Sequence, residues 1–300
     1  MLLHKNTFSV YKSTGEKQTA GCGFTLIELL VVIVIIALLL AIIMPALRIA
    51  KELAGMAICL SNQRQVAMAW IMYAEANDST PCGPNTTNVG APSAASPFYA
   101  YDRVGPPVGS NGTVEEEIRG IRNGTLYPYY ENPEVLHCPS DKRFVKPPTH
   151  LSGSFGGVGG YRTYSLVYHL NTLLPLDGSR DSSWAKASEV IHRTSEIQNP
   201  GSRFILIEEN DNRGLNVNGW VMNIDATPPG FVDPFGIFHN KRSTLGYADG
   251  HCETTKWKDP RTMQYSKEIF EGRYPFTSTP AEHTNNPDIE WLKAHYPRKR

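Results

Sequence analysis

Proton-transfer chemistry has its raw material in two places in this chain. Glu208, Glu209 and Asp211 follow an apolar stretch, and His239, Asp249 and His251 lie close together in sequence. Carboxylates and imidazoles are the side chains best suited to general acid and base work near neutral pH. Nothing in their spacing joins them into a catalytic motif. There is no nucleophile elbow and no His-Glu-x-x-His, and "GSFGGVGG" (153–160) lacks the lysine and the helix start of a phosphate cradle. The plain expectations are a strand-end His239 with local hydrogen bonds, and solvated loop positions for the acids. His137, Cys138, His251 and Cys252 are metal ligands by type, but no short Cys-x2-Cys or His-x3-His spacing supports a site. The chain is therefore expected to be no enzyme. With 29 basic and 29 acidic residues it has no broad electrostatic footprint for nucleic acid, and the closing "PRKR" reads as a solvated terminus.

A different carboxylate is harder to explain. In "GCGFTLIELLVVIVIIALLLAIIMPALR" (21–48), the 19 residues from Leu26 to Met44 are apolar except for Glu28. At about 1.5 Å per residue a helix of that length covers roughly the 30 Å of a bilayer core. Lys5, Lys12 and Lys17 against Glu16 make the preceding segment net positive, as the cytoplasmic flank of a membrane span is. A secretory signal peptide fits poorly, because the run is too long and meets Pro45 and Arg48 with no small-x-small cleavage site behind it. A lone carboxylate in hydrocarbon costs about 2.5–3.5 kcal/mol on insertion scales, so Glu28 either has a partner or snorkels to the headgroups.

The elements that must position these residues begin with that helix. "LRIAKELAGMAICLSNQRQVAMAWIMYAEAND" places Ala50, Leu53, Ala54, Ala57, Ile58, Val66, Ala69, Trp70 and Tyr73 near a 3.6-residue period, so one helix is expected from Phe24 to about Ala76, ended by Asn77, Asp78 and Pro81. Strands are expected at "YRTYSLVYHL" (161–170), "RFILIEE" (203–209), "GWVMNI" (219–224) and "GIFH" (236–239). Asp249-Gly250 between "LGYA" and "HCETTKW" predicts a hairpin with a tight primed turn. The stretches 81–110 and 151–160 are loop-like in composition. The expected organisation is a segment 1–23, a helix 24–77 that is transmembrane over about 26–46, and one globular region 78–300. The fold class is α+β, with a long N-terminal helix packed on a mainly antiparallel β domain with long loops.

"GFTLIE" ahead of an apolar run resembles the type IV prepilin family, which includes the pseudopilins of type II secretion. The resemblance implies that a prepilin peptidase cuts after Gly23, so that 1–23 is a cytoplasmic leader, and that the new terminus, Phe24, is N-methylated. It implies that Glu28 pairs with the Phe24 ammonium of a neighbouring subunit and sets its register, and that Pro45 is the kinking proline of a pilin-type helix. A second resemblance is carried by "CLSNQRQVAMAWIMYAEAND", "LHCPSD" and "FHNKRSTLGYADGHCETTKW". These look like a bacterial subfamily of pilin-like proteins with an H-x9-DG module, here His239, Asp249 and Gly250.

From this follow a location and a function. The expected site is the inner membrane in a single pass, with the N-terminus cytoplasmic and residues 78–300 periplasmic or extracellular. The expected function is that of a structural subunit of a type II secretion or type IV pilus-like filament. Its partners would be prepilin peptidase, like subunits, the assembly platform and lipid. The alternative is an exported enzyme or binding domain that uses the helix only as an anchor. Cys22 leaves with the leader, and Cys59, Cys82, Cys138 and Cys252 remain where disulfides form. Cys59 with Cys138 is the expected pair, joining helix to domain, and Cys82 with Cys138 is the fallback. Some pseudopilins hold calcium in a late loop, and Glu209, Asp211 and Asn212 in "EENDNRGLNVN" are candidate ligands, without calcium-hand spacing. No other cofactor is expected.

Overall fold

A computed structural model describes residues 24–84, 114–143, 145, 160–170, 187–210, 219–224, 230–271 and 284–299. The first element, α1, runs unbroken from Leu26 to Ala76. Its β-branched, apolar first half is a poor helix former in water, but a helix satisfies every backbone group within the segment, which hydrocarbon demands. Pro45 lies inside it and leaves the Ala41 carbonyl without its helical donor. The end is sharp: Asn77 donates its side-chain amide to the Tyr73 carbonyl at 2.7 Å, and Asp78 and Ser79 take positive φ. The chain divides into two compact units, Met1–Arg48 and Ile49–Arg300. Every residue from 24 to 51 is exposed.

In the second unit the buried face of α1 is Gly55, Cys59, Gln63, Val66, Ala67, Ala69, Trp70 and Ala74. This corrects the expected stripe. Leu53 and Ile58 are exposed, because the face that meets the domain carries Gly55, Cys59 and Gln63, which an apolar count passes over. Gly55 permits close approach, since a Cβ there would stand 3.0 Å from the Ser140 hydroxyl.

The helices α2 (Val114–Arg122) and α3 (Tyr127–Tyr130) and a 3-10 turn at Pro133–Leu136 lead to the sheet. Its strands are β1 (Tyr164–Leu166), β2 (Phe204–Glu208), β5 (Arg242–Tyr247) and β6 (Cys252–Lys256), antiparallel throughout in the order β1-β2-β5-β6. A minor sheet pairs β3 (Met222–Asn223) with β4 (Gly230–Phe231). Two further helices follow, α4 (Pro260–Phe270) and α5 (Pro287–His295). Trp70 of α1 joins Leu206, Trp220, Phe235, Leu245 and Tyr296 in one buried core. The architecture is thus α+β, with a long apolar N-terminal helix and an antiparallel sheet domain.

Two local expectations are corrected. "GIFH" is not a strand: the Gly236 amide donates to the Glu208 carbonyl at 2.7 Å, and the Gly236 and Phe235 carbonyls accept from the Ser243 and Ser266 hydroxyls instead of from a ladder. The hairpin is real, but its turn is not a primed two-residue one. Only Gly250 has positive φ (91°); the Gly250 amide donates to the Tyr247 carbonyl and the Tyr247 amide to the His251 carbonyl, each at 2.9 Å. That is a three-residue loop closed by glycine.

Candidate functional site

The helix start is built from Phe24, Thr25 and Glu28. Glu28 Oε2 accepts from the Thr25 amide at 2.8 Å and from its hydroxyl at 2.7 Å, and the Glu28 amide donates back to Thr25 Oγ1 at 3.2 Å. This reciprocal arrangement is a capping box, which satisfies donors that a helix N-terminus otherwise leaves open. The carboxylate therefore has a partner within its own chain, a third possibility beside a neighbour's ammonium and the headgroups. The Thr-x-x-Glu pattern ahead of the apolar run was the sequence signal for it. Phe24 is 71 % exposed. Gly23 lies outside the described residues.

The second constellation is buried. Cys59 on α1, Cys138 after the 3-10 turn, Glu208 at the end of β2 and His239 before β5 bring their ligand atoms within 4.8 Å of one another. The Cys59 and Cys138 sulfurs are 2.6 Å apart. His239 Nε2 lies 3.4 Å from Cys138 Sγ and 3.1 Å from Glu208 Oε1. The other carboxylate oxygen of Glu208 accepts the Thr244 amide at 3.0 Å. The loop that carries Cys138 is fixed from several sides. Its amide donates to the Thr163 hydroxyl at 3.0 Å, Thr163 donates to Asp141 at 2.9 Å, and Asp141 pairs with Arg143 at 2.6 Å.

Burial pulls the His239 imidazole down, but its hydrogen bonds to Glu208 and Cys138 and the Glu208 charge outweigh it and hold it above the ordinary histidine value. Burial pushes the Cys138 thiol far up, so it stays protonated. One polar atom here, His239 Nδ1, has no hydrogen-bond partner among the described residues.

These positions correct several expectations. Glu208 and Glu209 are wholly buried, not solvated, because β2 is a central strand with both faces covered. Glu209 accepts from the Ser165 hydroxyl through one carboxylate oxygen; Asp211 and Asn212 lie outside the described residues. His239 ends no strand, and its partners are distant in sequence. The metal-type set takes Cys138 with Cys59, Glu208 and His239; His137 instead bonds the Tyr161 carbonyl at 2.8 Å, and His251 pairs with Asp249 at 2.6 Å on the exposed hairpin tip. Cys82 packs in the separate main core, where its carbonyl accepts from Trp70 at 3.3 Å.

The spacing from His239 to Gly250 has a geometric meaning. β5 runs beside α1 in the same direction. His239 meets the cluster that holds Cys59, Thr244 meets Gln63, and Gly250 meets Met68, where a Cβ would stand 2.8 Å from the thioether sulfur. From Cys59 to Met68 the helix rises about 14 Å. The histidine and the glycine thus sit at the two ends of one strand's contact with one stretch of helix.

Comparison with known proteins adds one decisive observation at the N-terminus. Residues 21–44 match the model of the prokaryotic N-terminal methylation motif. No curated protein and no solved structure matches the chain. The methylation motif covers Gly23, Phe24, Thr25 and Glu28 and most of the apolar run, and it marks a type IV pilin-like terminus of the kind that a prepilin peptidase processes. Joined to one helix long and apolar enough to cross a membrane, the motif makes that helix a single-pass anchor.

Proposed function

We propose that this protein is an assembly subunit of a type II secretion or type IV pilus-like filament. The observation that carries the reading is the methylation motif at the head of a helix whose residues 24–51 are all exposed. A helix so apolar and so uncovered needs either lipid or other subunits around it. On this reading prepilin peptidase removes 1–23 at the cytoplasmic face and the Phe24 amine is methylated. Residues 78–300 stand on the exported side of the cytoplasmic membrane.

Assembly then replaces lipid contacts by helix contacts. Glu28 is already drawn to the helix start by Thr25, so its carboxylate is held beside the terminus where a neighbour's Phe24 ammonium would approach. A displaced subunit would leave both charges unpaired in an apolar core, at a cost of about 3–5 kcal/mol for a broken buried pair, which selects one stagger. Pro45 gives the helix a point of bending between its two halves. The reading is of assembly and not of catalysis, and it is supported by the state of the acid and base groups. Glu208, Glu209 and His239 are engaged in buried contacts, and no substrate-sized approach to them is needed for this function.

Subunit crosslinking tests the reading. Cysteines introduced at exposed α1 positions such as Leu30 and Leu38 should give ladders of crosslinked protein in a host that carries the secretion apparatus. Monomers alone, in membranes that contain processed protein, would move the weight to an anchored exported domain.

A further inference from the structure

Four buried groups at the joint of helix and sheet are used by nothing above. They could serve as a metal site or as a cross-link, and the geometry distinguishes the two. Tetrahedral zinc with bonds of about 2.3 Å to sulfur holds two thiolates about 3.7 Å apart, whereas a disulfide bond is about 2.05 Å. The Cys59 and Cys138 sulfurs, at 2.6 Å, are far nearer the second arrangement. Charge points the same way. Two thiolates, a carboxylate and a divalent ion would leave a net negative charge sealed from water, which is costly. A disulfide leaves Glu208 and His239 as a self-neutralising pair at 3.1 Å, with the second Glu208 oxygen taken by the Thr244 amide.

We propose that Cys59 and Cys138 form a disulfide that fixes α1 to the sheet domain, and that His239, paired with Glu208, is the lid that seals it from reductants. The histidine of the His239–Gly250 spacing thereby acquires a role separate from that of its turn. His239 guards the cross-link, and Gly250 lets the hairpin tip reach Met68. The proposal rests on export of this part of the chain, because exported compartments sustain disulfides. In forming the bond each thiol loses its proton, and the two sulfurs together give two electrons to a protein or small-molecule disulfide. The oxidant's S–S bond breaks, its sulfurs take up the two electrons and the two protons, and it leaves as two thiols. One S–S bond forms in the protein as one breaks in the oxidant. Since all four groups are buried, oxidation precedes the final closure of His239 over the pair.

The test uses the full chain in a peptidase-bearing host. External protease on spheroplasts reports export, and differential alkylation with non-reducing peptide mapping reports the cysteines. Exported protein in which the Cys59 and Cys138 peptides are linked supports the proposal. Exported protein with both thiols free, or with stoichiometric bound zinc, overturns it. If the domain is retained inside, the export reading fails instead. Glutathione disulfide added to the detergent-purified chain then decides: stoichiometric linkage with a Tm raised by several degrees supports the pair, and no linkage overturns it. The lid is read by native-state reduction with dithiothreitol. His239→Ala should accelerate it at least tenfold, and Asp249→Asn, at the other end of the same strand, should leave it within twofold. Equal rates for wild type and His239→Ala would remove the lid.

Discussion

Gln63, on the buried face of α1, donates its side-chain amide to both the Thr244 carbonyl at 3.0 Å and the Thr244 hydroxyl at 2.9 Å. A polar residue is thus a tie between helix and strand, and Gly246 beside it leaves little room: a Cβ there would meet Leu206 at 3.2 Å and Gln63 Oε1 at 3.5 Å. Gln63→Leu preserves the bulk but strips both Thr244 acceptors of their donor. The loss should be about 1–3 kcal/mol, from buried acceptors left unsatisfied. Thermal unfolding of the purified full chain, followed by circular dichroism, should show the drop, and an unchanged Tm would deny the tie its importance.

If prepilin peptidase cuts after Gly23, as proposed, processing should depend on that residue. Gly23→Val should leave the leader on the chain, and mass spectrometry of the wild-type protein should find N-methylated Phe24 as the first residue. Intact Met1 in the wild-type membrane fraction of a host with active peptidase would count against processing.

The two roles open to Glu28 separate by substitution. Glutamine can still accept from Thr25 in a capping box, but it carries no charge. Glu28→Gln should therefore keep the helix start and lose filament assembly, while Thr25→Val should weaken the cap by about 1 kcal/mol and retain assembly. Crosslinking yields for the two variants, side by side with wild type, decide the matter. Assembly by Glu28→Gln at the wild-type level would reduce the carboxylate to a local cap.

The cluster around His239 predicts a pH dependence. Its imidazole is held above the roughly 6.5 of an exposed histidine, and the Glu208 carboxylate at 3.1 Å raises it whether Cys138 is a thiol or cross-linked. A raised pKa means that the folded state holds the proton more tightly. The stabilisation is therefore fully present below about pH 6.5 and is lost as pH rises through the raised value. Tm measured across pH 6 to 10 should fall, and in His239→Gln it should fall less. Parallel profiles would place the titration elsewhere.

Much of this was legible in the sequence, and the exceptions share a cause. Cys59 with Cys138 is one of three pairings that four cysteines allow, whereas the long helix, its stop at Asn77, strand β2 and the β5–β6 hairpin all follow from periodicity or turn residues. The buried face of α1 did not, because Gly55 and Gln63 are buried for closeness and for hydrogen bonding, and neither registers as apolar. Glu208 and Glu209 looked solvated because a carboxylate in a short motif gives no sign of its long-range partners. Those partners, Thr244, His239 and Ser165, come from other strands or loops. The three-residue turn at Gly250 departed from the primed form because the strands pair Gly246 with Cys252, which leaves one residue more than a two-residue loop holds.

The parallel run of β5 along α1 has a mechanical side. A pull along the helix axis meets the contacts at Cys59, Gln63 and Met68 in line with the load, so they resist sliding together instead of parting one after another as a peeled strand would. The central strand, hydrogen-bonded to β2 and β6 on either side, passes that tension sideways into the whole sheet. A load on the 49–76 stretch of α1 would thus be shared among the four strands of the sheet.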